Sequence, residues 1–137
     1  MIPTYEVLKN ILAEADAAGR AAVAVAKVTP MIVGSAKSLF SNEIDYSQPT
    51  EFVEDGVCGF AWINVYPEFK GNTKLGKEER KVLERLGFSK DWENNKRFYL
   101  WVSDFNQSMQ KKETYARAYA KVLSANGVTA SSMSRMD

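Results

Sequence analysis

A ten-residue apolar segment, Val57 to Tyr66, constrains the fold of this chain more than any other feature. It is rich in β-branched and aromatic residues, which favour strands, and Pro67 ends it. Side chains alternate between the two faces of a strand. The aromatic ones then share one face and the aliphatic ones the other: Phe60, Trp62 and Tyr66 against Ala61, Ile63 and Val65. Both faces are largely apolar, so we expect a central strand of a sheet.

The N-terminal segment is open to two interpretations. Small and apolar residues recur at spacings of three and four, which favours one helix from about Thr4 to Val28: Tyr5, Leu8, Leu12, Ala15, Gly19, Ala22 and Ala26. Alternatively, Gly19 ends a shorter helix and residues 22–26 begin a strand. We favour the single helix. Its alanine and glycine stripe lets another backbone approach closely, either within the fold or across a dimer.

The middle of the chain predicts a short strand at Met31–Val33, a polar loop over 35–49, and a helix from Thr73 to Leu86. The inward residues of this helix are expected to be Leu75, Val82, Leu83 and Leu86. Gly87 and Phe88 form its C-cap with the usual hydrophobic contact. A turn over 89–95, which includes Ser89, Lys90, Asp91 and Trp92, should lead into a strand from Arg97 to Ser103, where alternation resumes.

The C-terminal part carries the clearest helix signal. Ser108 is a good N-cap for a helix over Met109–Ala125, and Asn126-Gly127 closes it in a left-handed conformation. Its inward set is expected to be Met109, the stem of Lys112, Ala116, Tyr119, Ala120 and Leu123. Residues 128–134 can pair as an edge strand. Together the segments predict a single α+β domain over residues 1–137, with about four mainly antiparallel strands and three helices packed on them.

Several functional classes are excluded by what the composition lacks. The 137-residue chain has no histidine, so Ser-His and Cys-His catalytic pairs and imidazole metal sites cannot form. One cysteine, Cys58, cannot make an internal disulfide, which suits the cytoplasm. The N-terminal residues lack a signal-peptide pattern and no long apolar run is present, so we expect a cytoplasmic protein that does not enter membranes. We expect no cofactor and no metal, because no loop has EF-hand spacing.

Segments spread over most of the chain resemble a group of small uncharacterised proteins found in tailed phages and in marine environmental sequence. The likeness runs from about Pro30 to the C-terminus. It is carried by Asp55–Trp62, by Asn106-Gln107-Ser108 with Lys112, by Tyr115–Ala118, by Val122-Leu123 and by Ser134–Asp137. The resemblance implies a viral or environmental origin, in the cytoplasm of a host cell if phage-encoded, and no particular activity.

Four residues are candidates for chemistry: Cys58, Asp55, Ser108 and Arg135. Cys58 would need a nearby cation to form a thiolate, whereas a lone cysteine in an apolar strand is usually a small buried hydrophobe. Ser108 is a nucleophile only beside a base, and helix capping explains it at once. If the final strand docks, Arg135 is expected to pair with an acid near Asp55. We therefore favour no catalytic site.

Charge is distributed unevenly along the chain. Residues 1–69 hold four basic and nine acidic groups, a sum of −5, whereas residues 70–121 hold thirteen basic and seven acidic groups, a sum of +6. The positive part could follow phosphates and stack bases, through Lys74, Lys77, Lys81, Lys96 and Arg97. Glutamates at helical spacing among the lysines favour an ordinary solvated face instead.

Two functional classes remain. The surplus of aromatic residues on both sides of the strands at 60–66 and 98–102 favours a non-enzymatic, phage-related interaction module that forms a homodimer or binds another protein, because three helices are not expected to cover all of them. The alternative is a nucleic-acid-binding accessory protein that uses the basic 70–121 region. An enzyme built on Cys58 ranks third.

Overall fold

The fold is given by a computed structural model that describes residues 4–26, 31–34, 50–53, 57–93 and 96–137. The elements in chain order are α1 (Tyr5–Val25), β1 (Met31–Gly34), β2 (Thr50–Val53), β3 (Gly59–Val65), α2 (Lys74–Arg85), β4 (Ser89–Lys90), β5 (Phe98–Trp101), α3 (Met109–Ala125) and β6 (Ala130–Met136). β1 and β2 form a two-stranded antiparallel sheet, and the other strands form a four-stranded sheet. The predicted α+β class is confirmed.

The four-stranded sheet has the order β4-β5-β3-β6, and every neighbouring pair is antiparallel. The chain passes through it as β3-α2-β4-β5-α3-β6, which is the split βαβ arrangement. β3 is central, as the apolar segment predicts. β6 pairs with it along its full length, from Gly59 opposite Met136 to Val65 opposite Ala130, and lies at the edge of the sheet. The expected C-terminal edge strand is therefore confirmed, although it begins and ends two residues later than predicted.

Three predictions about the middle of the chain were wrong in detail. The strand at residues 31–34 exists, but it pairs with β2 and takes no place in the main sheet. The fourth strand of the main sheet is instead β4, Ser89–Lys90, which was predicted as a turn. Ser89 pairs with Tyr99 and Lys90 with Phe98. Leu75 is half exposed rather than inward, because α2 buries Gly76 and Leu83, which lie seven residues apart on another side of the helix.

The core lies between the sheet and the helices. Alternate residues of β3 and β5 point into it, and the helices supply the opposite side. Its buried members include Ala61, Ile63, Val65, Phe98, Leu83, Phe88, Ala116, Tyr119, Ala120 and Leu123. The predicted C-cap of α2 is confirmed, since Gly87 has φ +98° and the Phe88 amide donates to the Leu83 carbonyl at 3.0 Å.

α1 is one helix, so the shorter alternative is wrong. Thr4 caps its first turn through its side chain, and the helix runs through Gly19 without a break. Gly19 is buried against α3, where an added Cβ would lie only 2.5 Å from Cδ2 of Tyr115. The alanine and glycine stripe therefore serves packing inside the fold.

α3 has the bounds that its local signals predict. The Ser108 hydroxyl accepts a hydrogen bond from the Lys111 amide at 3.3 Å, and Gly127 ends the helix at φ +81°. The stem of Lys112 is buried as expected. Tyr115 is also buried, although the inward set did not include it.

Candidate functional site: the open face of the sheet

The face of the sheet opposite the helices carries a group of aromatic side chains. We call this surface the open face, because no helix in the part of the chain that the structure describes packs on it. Its members on β3 and β5 are Phe60, Trp62, Asn64, Tyr99 and Trp101, and on β6 they are Ser131, Met133 and Arg135. Trp101 is 46% exposed and Met133 48%, so the surface is both apolar and accessible.

The aromatic rings touch one another around Trp101. Trp62 lies directly opposite Trp101 on the neighbouring strand, with ring centroids 5.1 Å apart. Phe60 and Tyr99 meet Trp101 edge-on, at 5.8 and 6.4 Å. Such contacts stabilise cross-strand pairs and hold each ring in one orientation. The open face is consequently a preorganised aromatic surface on the two inner strands of the sheet.

A depression of about 170 Å³ lies among these rings. It is lined by Trp62, Asn64, Asp91, Arg97, Tyr99 and Trp101. Asn64 is the most deeply buried of them, at 1% exposure. Its Oδ1 has no hydrogen-bond partner among the described residues. Leaving a buried acceptor unpaired costs about 1–3 kcal/mol, so such a group calls for an explanation.

An ion pair closes one side of the depression. Nε of Arg97 donates to Oδ2 of Asp91 at 2.6 Å, and both side chains are partly buried. Oδ1 of Asp91 also accepts from the Glu93 amide at 3.0 Å. The hydrogen bond to Asp91 raises the pKa of Arg97 above its usual value, with a smaller contribution from the Tyr66 hydroxyl. Arg97 therefore stays charged and is held in place beside the aromatic rings.

Two cations lie at the opposite end of the aromatic surface, around Phe60. The guanidinium of Arg135 lies 5.8 Å from the centre of the Phe60 ring, directly across from it on β6. Nζ of Lys112 approaches the same ring to 5.6 Å and donates to the Gly59 carbonyl at 3.4 Å. Positive charge thus stands at both ends of the open face, with Arg97 at one end and Arg135 at the other.

Three of the four candidates for chemistry, Cys58, Ser108 and Arg135, lie within the described residues. Cys58 and Ser108 are backbone neighbours in an isolated antiparallel bridge. Ser108 is buried and its hydroxyl caps α3, while Cys58 is exposed. Arg135 lies in the docked final strand, as expected, with its side chain over Phe60. Asp55 lies outside the described residues, so its expected pairing with Arg135 stays a prediction.

The five basic candidates for nucleic-acid binding fall on two surfaces. Lys74, Lys77 and Lys81 are exposed on α2, which belongs to the helix layer. Lys96 and Arg97 come just before β5, and only Arg97 lines the depression on the open face. These residues do not make one continuous basic surface. The open face is distinguished instead by its aromatic side chains, which the alternation in the sequence predicted. Asn64 was not predicted as a site residue, although it is the only polar residue between Gly59 and Tyr66.

A second cluster of charged and aromatic groups joins α1 to α3. The Tyr115 hydroxyl donates a short hydrogen bond to Asp16, and Arg20 bridges Asp16 and Asp104 at 3.1 and 2.6 Å. The bond from Tyr115, aided by Arg20, lowers the pKa of Asp16, whereas burial and the same bond raise that of Tyr115. The Arg20 guanidinium also lies over the ring of Phe105, which has φ +71°. Every group here has a partner, so the cluster is a structural clamp.

A cavity of about 350 Å³ lies between α1, α2 and the turn that follows α3. Its wall combines apolar side chains such as Leu8 and Val82 with Glu79. The Glu79 carboxylate accepts from the amides of Glu68 and Phe69 at 2.9 and 3.0 Å. No unpaired buried side-chain atom among the described residues points into this cavity. We therefore place the candidate site at the smaller depression on the open face.

The described residues offer no competing metal or membrane site. Within residues 4–26, 31–34, 50–53, 57–93 and 96–137, no group of three or more acidic or cysteine side chains could hold a metal ion. None of the described helices combines the length and the apolar character needed to cross a membrane. No family model, curated protein or solved structure matches the chain. The resemblance to small phage proteins therefore stays a prediction.

Proposed function

We propose that the protein binds single-stranded nucleic acid on the open face. The observation that carries the proposal is the placement of Phe60, Trp62, Tyr99 and Trp101 on the two inner strands of a four-stranded antiparallel sheet, with the described helices packed on the opposite face. A sheet of this kind stacks two or three unpaired bases on its aromatic side chains. Every base has a π-face, so each stacked base contributes about 1–3 kcal/mol without regard to sequence.

The charges of the open face suit a single strand better than a duplex. Arg97 and Arg135 stand at its two ends, where they can contact the phosphates that flank stacked bases. A duplex keeps its bases stacked inside and is bound through many phosphates, which two arginines do not provide. The expected partner is thus single-stranded DNA or RNA, and the phage-like resemblance and lone cysteine fit a role in the cytoplasm of an infected cell.

This proposal reorders the two functional classes that the sequence left open. The sequence favoured a self-associating interaction module and placed nucleic acid on the basic 70–121 region. The aromatic rings lie instead on the open face, while Lys74, Lys77 and Lys81 lie on the helix layer. Self-association is the second candidate, favoured by the exposure of Trp101 and Met133 side by side on one apolar surface. A second copy covering this face would give a dimer with twofold symmetry.

The test is binding of labelled twelve-base DNA and RNA strands, followed by fluorescence anisotropy at about 50 mM salt. We expect Trp101→Ala to weaken binding about 5- to 150-fold, the equivalent of one lost stacking contact of about 1–3 kcal/mol. The matched control is Trp92→Ala, because Trp92 is 87% exposed and does not line the depression. It should leave affinity unchanged, and the matching duplex should bind more weakly.

The salt dependence of binding distinguishes contacts on the open face from binding through all five basic candidates. With Arg97 and Arg135 as the phosphate contacts, the slope of log affinity against log salt should be about −1.4, from two contacts at about −0.7 each. Use of all five basic candidates would give about −3.5. Absence of binding to either strand, or equal affinity for wild type and Trp101→Ala, would refute the proposal. If sedimentation then showed a dimer that Trp101→Ala dissociates, the second candidate would stand in its place.

A further inference from the structure

The side chain of Asn64 is the least explained polar group in the described structure. It lies at the bottom of an aromatic depression, its Oδ1 is unpaired, and no hydrogen bond to its amide is found among the described residues. A buried acceptor without a partner lowers stability, and proteins retain few of them. A ligand that enters the depression and pairs with the amide would remove the deficit.

The walls of the depression define the shape of that ligand. Trp62, Tyr99 and Trp101 are flat and apolar, and about 170 Å³ accommodates one planar ring rather than a chain. The polar groups that line the depression are the Asn64 amide and the Asp91–Arg97 ion pair. A ring that stacks on the aromatic walls would direct its polar edge toward Asn64.

We infer that the depression reads one base of the bound strand and prefers adenine or cytosine to thymine or uracil, because adenine and cytosine carry an exocyclic amino group beside an unprotonated ring nitrogen. This inference rests on the proposed function. The amino group donates to Oδ1 of Asn64, and the ring nitrogen accepts from Nδ2. An asparagine amide pairs with adenine in this way in other nucleic-acid complexes.

Thymine and uracil fit the same groups less well. Their only ring donor, the imino N–H, lies between two carbonyl oxygens. When that N–H donates to Oδ1 of Asn64 and one carbonyl accepts from Nδ2, the other carbonyl faces the acceptors of the depression, Oδ1 and the Asp91 carboxylate. Two acceptors placed together repel each other, and discrimination against the wrong base follows.

The experiment compares strands that differ in one base. Wild-type protein is titrated with eight-base oligo(dT), and with the same strand carrying a single central adenine, cytosine or N6,N6-dimethyladenine. We expect adenine or cytosine to strengthen binding about tenfold over thymine, within the discrimination that a paired base edge provides. Dimethyladenine, which stacks as well but has no amino hydrogen, should bind like thymine.

Asn64→Leu tests the residue, and Ser131→Ala is the matched control. Ser131 faces Asn64 across the β3–β6 pair but does not line the depression. We expect Asn64→Leu to bind all four strands equally and to melt at the wild-type temperature or higher, because an unpaired buried amide has been replaced by an apolar group of similar size. Ser131→Ala should keep the wild-type preference. The ratio between strands is measured on each variant alone, so a change in its stability does not affect it.

The possible results separate this inference from the proposed function. If wild type binds all strands equally, or Asn64→Leu keeps the preference, base reading is overturned while nucleic-acid binding stands. The same holds if dimethyladenine binds like adenine, since stacking would then explain the preference. If no strand binds, both ideas fall together.

Discussion

Gly19→Ala offers a sharp test of the packing between α1 and α3. Alanine is favoured over glycine inside a helix by about 1 kcal/mol, so the substitution would stabilise an exposed site. At Gly19, however, the new Cβ would lie 2.5, 2.8 and 3.1 Å from three carbons of the Tyr115 ring. The ring cannot swing away freely, because its hydroxyl is bonded to Asp16 and Arg20 lies 5.9 Å from its centre.

The expected magnitude follows from these opposing effects. Overpacking a core costs about 1–3 kcal/mol, and the anchored ring places this case in the upper part of the range. Once the gain in helix propensity is subtracted from this cost, Gly19→Ala should lower the free energy of unfolding by about 1–2 kcal/mol. The assay is urea denaturation, in which the midpoint should fall while the slope m stays constant.

A double-mutant cycle isolates the cause. In a Tyr115→Ala background the obstructing ring is gone, so Gly19→Ala should raise stability by about 1 kcal/mol. Ala21→Gly, at an exposed position on the same helix, should lower stability by about the same amount and calibrates the propensity scale. A stabilising effect of Gly19→Ala in the wild type would refute the reasoning, because the ring would then yield at no cost.

Two further predictions concern the clamp and the cap of α3. The Tyr115 hydroxyl and Arg20 lower the pKa of Asp16 in the folded state. The ionised carboxylate therefore contributes to stability above the unfolded pKa of about 3.9. This contribution is lost as the pH falls through the lower folded pKa. The stability difference between wild type and Asp16→Asn, measured by urea titration, should be largest at pH 7 and shrink below about pH 4. Ser108→Ala should lower the free energy of unfolding by about 1 kcal/mol through the lost bond to the Lys111 amide, and a negligible change in the same assay would contradict its role as a cap.

Elements whose signals are local in sequence were predicted closely. α3 begins and ends at the predicted residues, since Ser108 and Gly127 act on the backbone within one helical turn. β3 was predicted as a central strand because its apolar character needs no knowledge of its neighbours. β4 was missed, since two residues carry no periodicity and Ser89–Lys90 becomes a strand only through its pairing with β5.

The sequence predicted the aromatic character of the candidate site but not which residues come together to form it. The alternation in β3 and β5 indicated an aromatic surface, and the sequence also named Arg97 and Arg135. It could not show that the two strands pair with Trp62 opposite Trp101, nor that Arg97 and Lys74 lie on different surfaces. Asn64 gave only the signal of one polar residue in an apolar run, and its burial depends on side chains distant in sequence.

Amino-acid order alone thus determined that Val57–Tyr66 lies inside a sheet, with aromatic residues on one face, since period-two alternation and β propensity are properties of the segment itself. Which face the helices cover, and which rings meet around Trp101, was decided only by the tertiary structure. Strand pairing and helix packing join residues far apart in the chain, and their energies depend on contacts that no local pattern records. The aromatic strand became a candidate binding surface because the helices pack on its aliphatic side.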